Sequence, residues 1–260
     1  RTNIIPRISY IICAMDPGST TLSSCFKILI RIARNSLQSC LSILNSKNLL
    51  KQIIAHISSV DTVQDYTYLV FKLFRIIECY NEITIIDTLK SYQIHKKAKI
   101  FIITQKDAEI NLLKVQIECF RFFRRYFNIT KDESTFNELM VSLKYMIHYH
   151  YQHLSFEENH NILRIHASSL LQLLSCSNIA VCYPIFADIL KTCSKKWFYF
   201  ASKSEIIDFT QNNLLASTLH VITTFSGFAT EFFYDFIDEY LVQFLTSNFF
   251  KSNIKSLMDS

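Results

Sequence analysis

Five histidines crowd one short stretch, His148, His150, His153, His160 and His166, and they are the side chains best suited by type to hold a metal. Two imidazoles on one helix share an ion when they stand at i and i+4, on the same side. His148 and His150 would point about 200° apart on a helix, and no pair among the five has the i, i+4 relation. They read as surface histidines, set among Tyr145, Tyr149 and Tyr151 on an amphipathic rim or contact face. The eight cysteines, Cys13, Cys25, Cys40, Cys79, Cys119, Cys176, Cys182 and Cys193, contain no CxxC arrangement, so neither a zinc ribbon nor a redox pair is indicated. Most lie in apolar helical stretches, where a reduced thiol behaves as a small hydrophobe, as in cytosolic or nuclear proteins. The only glycines are Gly18 and Gly227, which removes GxxxxGK[ST], GxGxxG and GxSxG together. Glu157 and Glu158 fall in the first turn of a predicted helix, where the macrodipole favours carboxylates without any acid/base role. Nothing places a nucleophile beside a base. The residues predict a non-enzymatic protein with no cofactor, no metal and no small-molecule substrate.

Charge offers a second kind of chemistry. Net charge is +5, and up to Thr130 the chain has 18 basic and 9 acidic residues, against 9 and 13 after it. An excess of this kind can face an acidic partner. Lys96, Lys97 and Lys99, with Arg121 and Arg125, are the candidate protein-binding surface; Arg124 leaves its helix in a different direction from Arg125. Base-stacking aromatics on a basic sheet or groove are not recognisable, so direct nucleic-acid binding is not expected. Asp235, Asp238 and Glu239 amid Phe232, Phe233, Tyr234, Phe236 and Tyr240 read as the solvated side of a core-facing aromatic helix.

The elements that position these groups are helices. With 2 Gly and 3 Pro in 260 residues, where average usage supplies roughly 18 and 13, few positions can break one. Half the residues are hydrophobic and 22 are Phe, so the chain must bury a large core. Apolar residues recur at three-to-four spacing. Ile110, Leu113, Ile117, Phe120 and Phe127 form one stripe, with Lys114, Glu118, Arg121 and Arg125 opposite on the wet side. Thr135 to Glu138 and Ser155 to Glu158 fit capping boxes, and Asp107 and Ser204 can cap two more helices.

The pattern predicts helices at 22–35, 37–57, 62–80, 82–92, 107–127, 134–152, 156–176, 183–200, 204–225 and 228–246. The segment 93–104 is either a helix or an irregular connection. Helix pairs begin at 62, 107, 156 and 204, close to the roughly 40 to 47 residue period of HEAT and armadillo repeats. The expected fold is all-α, an irregular α-solenoid of antiparallel helix pairs running as a single region over 1–260. The uncharged stretches 165–187 and 209–230 carry too many polar side chains for membrane spans and read as buried helices. The chain begins at Arg1 and is expected to be a piece of a longer protein.

At residues 25–54 the sequence CFKILIRIARNSLQSCLSILNSKNLLKQII carries Ile28-Leu29-Ile30-Arg31-Ile32-Ala33-Arg34, with Asn35 and Leu37 just after it. Residues 70–89, VFKLFRIIECYNEITIIDTL, continue with a helix pair, and Glu118-Cys119-Phe120-Arg121-Phe122-Phe123 follows. These segments resemble the central helical region of the RNA polymerase II-associated protein 1 family. That family often has His and Pro where Asn35 and Leu37 stand, Trp at the Phe123 position, and Tyr-Gly following the Tyr126 position, a Gly this chain lacks. The resemblance covers about 22–145 and rests on core positions. It implies a scaffold that binds RNA polymerase II subunits or assembly factors, in polymerase assembly, nuclear import and transcription, present in nucleus and cytoplasm. A generic HEAT-like or armadillo-like adaptor in transport or trafficking is the alternative.

Overall fold

Serines supply helix breaks that a chain with two glycines must find elsewhere. A computed structural model describes residues 4–57, 63–104, 110–139 and positions 143, 165, 166, 169, 170, 172 and 173. Among the described residues every regular element is helical: α1 (Ile4–Ala14), α2 (Thr20–Asn35), α3 (Leu37–Asn45), α4 (Lys47–Ala55), α5 (Thr67–Glu78), α6 (Ile83–Ser91), α7 (Ile94–Ile103) and α8 (Ile110–Thr130). The chain divides into two compact units, Arg1–Asp132 and Glu133–Ser260.

Ser36 ends one helix and starts the next. Its backbone is extended, at φ −167° and ψ 158°, and its side chain accepts a hydrogen bond from the Ser39 amide at 3.1 Å. That satisfies one orphan donor of α3. Ser19 caps α2 by accepting from Thr21 N at 3.3 Å. At Ser46, φ −78° and ψ 81° split the expected 37–57 helix into α3 and α4. Three C-terminal turns need positive φ and take it without glycine: Asn81 (56°) after α5, Gln93 (56°) after α6 and Lys131 (52°) after α8. Asn tolerates this region, whereas Gln and Lys pay roughly 1 kcal/mol or more for the crowded Cβ.

In the first unit α1 packs on α2 and α4, α2 on α3 and α5, α3 on α4 and α6, α5 on α6 and α8, and α7 on α6 and α8. Two helices are central. α5 buries Leu69, Val70, Phe71, Leu73, Phe74, Ile76 and Ile77, covering most of its circumference, because neighbours cover it on more than one side. α8 does the same with Leu112, Leu113, Val115, Ile117, Phe120, Phe122, Phe123 and Phe127. Polar clamps join the ends. His56 Nε2 lies 3.0 Å from the Ile12 carbonyl, which can only accept, so the ring donates from Nε2 and ties the end of α4 to α1. The Ala33 carbonyl, orphaned in the last turn of α2, accepts from both Cys40 Sγ at 3.1 Å and Tyr80 Oη at 2.8 Å.

The second unit is described at 133–139, which is helical with Phe136 and Leu139 buried, and at isolated positions of which Leu143, His166, Ser169, Leu170 and Leu173 are buried. Helix 133–139 is already running when it reaches Thr135, so Thr135 is an interior residue and not the cap expected of it. The helices expected beyond 152, the Ser155 and Ser204 caps and the uncharged stretch 209–230 lie outside the described residues, as do Asp107 and most of 165–187. Elsewhere the sequence reading needs three corrections. α1 is a helix at Ile4–Ala14, ahead of the first one expected at 22–35; residues 63–66 precede the helix expected from 62, which starts at Thr67; and Ile110, expected on the buried stripe, is 60% exposed. The segment 93–104, left open between helix and connection, contains α7.

Candidate functional site

Glu118 was expected on the wet side of α8, and it is buried. Its side chain is 6% exposed and holds two arginines: Arg75 Nε of α5 donates to Oε2 at 2.8 Å, and Arg121 Nη1, one turn along α8, donates to Oε1 at 3.1 Å. The carboxylate therefore clamps α5 to α8. Burial of such a charge is tolerable because each oxygen meets a cation. One turn further along α5 stands Glu78, 1% exposed, with neither carboxylate oxygen hydrogen-bonded. Burial pushes its pKa well above the usual carboxylate range, and Arg125 and then Arg75 offset part of that push.

Arg121 and Arg125 thus face the α5 seam. Arg121 is half-buried against Glu118, and Arg125 is exposed while its field reaches Glu78. The lysines stand elsewhere. Lys96, Lys97 and Lys99 are on α7, which meets the other flank of α8, where Gln116 Nε2 donates to the Phe101 carbonyl at 3.0 Å. Gln116 and Glu118 are two residues, and hence about 200°, apart on the helix. The five basic residues expected to form one surface are divided between two flanks of α8. Lys96 is exposed, while Lys97 and Lys99 are half-buried.

Tyr126 gathers the α7 flank. Its ring stacks on His95 at 6.2 Å, Lys90 Nζ sits 5.5 Å from its centroid, and its hydroxyl donates to Asp132 Oδ2 at 2.8 Å. Burial, then Asp132, raise the Tyr126 pKa; burial, then Lys96 and Lys90, hold His95 below the ordinary histidine range, against the smaller opposing pull of Asp132. At neutral pH this leaves a neutral phenol on a neutral imidazole. The cluster closes the ends of α6, α7 and α8 and does structural work.

Other exposed cations are concentrated on α1, α2 and α4. Residues 4–57 contain Arg7, Lys27, Arg31, Arg34, Lys47 and Lys51, all exposed, against the single acid Asp16. The cations of α2 are spaced by helical turns, so they form no contiguous run in the sequence as the lysines at 96–99 do. His148, His150, His153 and His160 lie outside the described residues. His166, expected at the surface, is buried at 1% exposure. Among the described residues no three His, Cys, Asp or Glu side chains are placed to hold a metal ion, and no helix is long and apolar enough to cross a membrane.

Compared with known proteins, the chain matches no protein-family model, no curated protein and no solved structure.

Proposed function

We infer that this protein is a non-enzymatic scaffold, an irregular α-solenoid of the HEAT/armadillo kind, that binds other proteins through helix faces. The observation that carries the reading is the pairing in one helical unit of a buried apolar core with helices α1, α2 and α4 that carry six exposed cations and no acid. Helical repeats bind through extended surfaces of dispersed side chains, which need no cofactor and no compact motif. The resemblance over 22–145 supports RNA polymerase II subunits or their assembly factors as the partners, and with them a place in polymerase assembly, nuclear import and transcription. Affinity purification of the tagged protein from nuclear and cytoplasmic extracts, followed by mass spectrometry, tests this. Enrichment of RNA polymerase II subunits is the expected result. Recovery of coat or transport components without polymerase would remove the polymerase assignment and leave a generic helical adaptor.

A further inference from the structure

α2 cannot rotate about its axis. Leu22, Cys25, Phe26, Leu29, Ile30 and Ala33 are buried, and the helix packs on α1, α3 and α5. Its opposite face is therefore permanently presented. Lys27, Arg31 and Arg34 stand on that face at i, i+4 and i+7, a row about 10 Å long. Ile28 sits beside them, 40% exposed. Among the described residues none of the three cations has an ion pair or hydrogen bond, and of the helices α2 packs on, α1 and α3 contain no Asp or Glu while the one acid of α5, Glu78, is buried.

We propose that the α2 face formed by Lys27, Ile28, Arg31 and Arg34 docks an acidic amphipathic segment of a partner protein, its carboxylates on the three cations and an apolar side chain on Ile28. A partner helix with acids at i, i+4 and i+7 repeats the same rise, so the two rows pair charge for charge along one length. The excess of positive charge on α1 to α4 steers such a segment before contact. Ile28 selects protein over nucleic acid. A phosphate backbone offers nothing apolar to cover it, and the only aromatic residue of α2, Phe26, is buried and unavailable to stack a base.

The proposal rests on the protein-binding reading above and names the chemistry of the partner. Its test is fluorescence anisotropy on the full 260-residue chain with three labelled probes. These are a 16-residue helical peptide with Glu at i, i+4 and i+7 and Leu beside them, the same peptide with Gln for Glu, and a 20-nucleotide DNA duplex. The Glu peptide is expected to bind and the Gln peptide to bind at least tenfold more weakly. The triple reversal Lys27→Glu, Arg31→Glu, Arg34→Glu is expected to weaken the Glu peptide by tenfold or more, while Lys96→Glu, Lys97→Glu, Lys99→Glu leaves it within twofold. Tenfold corresponds to about 1.4 kcal/mol. Circular-dichroism melts of both variants show whether each is folded, and the single Arg31→Glu replaces the triple if that does not fold. Equal binding by wild type and the α2 variant, no binding of the Glu peptide, or binding of the duplex in preference to the peptide overturns the proposal. If the peptide binds as predicted but purification returns no polymerase, the docking face stands and only the polymerase assignment falls.

Discussion

Arg75 and Glu118, 43 residues apart in sequence, meet at 2.8 Å and join the two most buried helices of the first unit. Glu118→Gln keeps the shape but leaves two guanidinium groups facing a neutral amide. We expect a loss of about 2 kcal/mol, below the range for fully buried pairs because Arg75 and Arg121 are partly exposed. Arg121→Ala should cost no more than about 0.5 kcal/mol, since its side chain is 38% exposed. Urea unfolding of the full chain measures both, and equal losses would contradict the clamp.

Glu78 makes stability depend on pH. Its folded pKa lies above the roughly 4.3 of an unfolded glutamate, so its favourable contribution is complete below that value and is lost as pH rises through the folded pKa. Its position in the last residue of α5 adds the unfavourable negative end of the helix dipole. Glu78→Gln removes the titration. Melting temperatures of variant and wild type should differ least at pH 4 and separate by about 2 to 4 °C or more in the variant's favour by pH 8. A gap that does not change with pH would contradict this.

Backbone strain predicts opposite outcomes at two turns. Gln93 has φ 56° and Gly18 has φ 95°. Gln93→Gly should stabilise by about 0.5 to 1 kcal/mol, the relief of the left-handed strain less the added freedom of the unfolded chain. Gly18→Ala should destabilise by about 1 kcal/mol or more, because the strain is imposed even though the new Cβ would meet Gln64 Oε1 only at 3.4 Å. Chemical denaturation of each variant decides the signs.

The described cysteines should differ sharply in reactivity. Cys13 is exposed, whereas Cys25, Cys40 and Cys119 are buried. Burial raises Cys25, pushes Cys40 up to about 11 and raises Cys119 well above the usual thiol range, so few thiolates exist there at neutral pH. Alkylation of the native protein with peptide mapping should label Cys13 first and the three buried thiols only on denaturation. Early labelling of Cys119 would contradict the packing of α8.

Helix class was legible in this sequence and helix surroundings were not. The 22–35 helix falls within α2 because a single apolar face and a serine cap are local properties. The break at Ser46 was not foreseen, since neither Asn45 nor Ser46 is a strong breaker and the cap has no side-chain hydrogen bond. Glu118 misled for a physical reason. A charged residue one turn from Arg121 looks solvated, and only Arg75, brought in by the packing of α5 on α8, makes its burial tolerable. The candidate lysines at 96–99 stood out because they are nearly contiguous, while Lys27, Arg31 and Arg34 form a row only once the helix is wound.

The proposal to be tested first is that partner proteins dock on the α2 face. Affinity purification with quantitative mass spectrometry, run in parallel on wild type, the Lys27/Arg31/Arg34 reversal and the Lys96/Lys97/Lys99 reversal, tests it most directly. The account predicts partners retained by wild type and by the α7 variant and depleted at least tenfold by the α2 variant. Retention by the α2 variant with loss in the α7 variant, or no protein enriched on wild type, would contradict it.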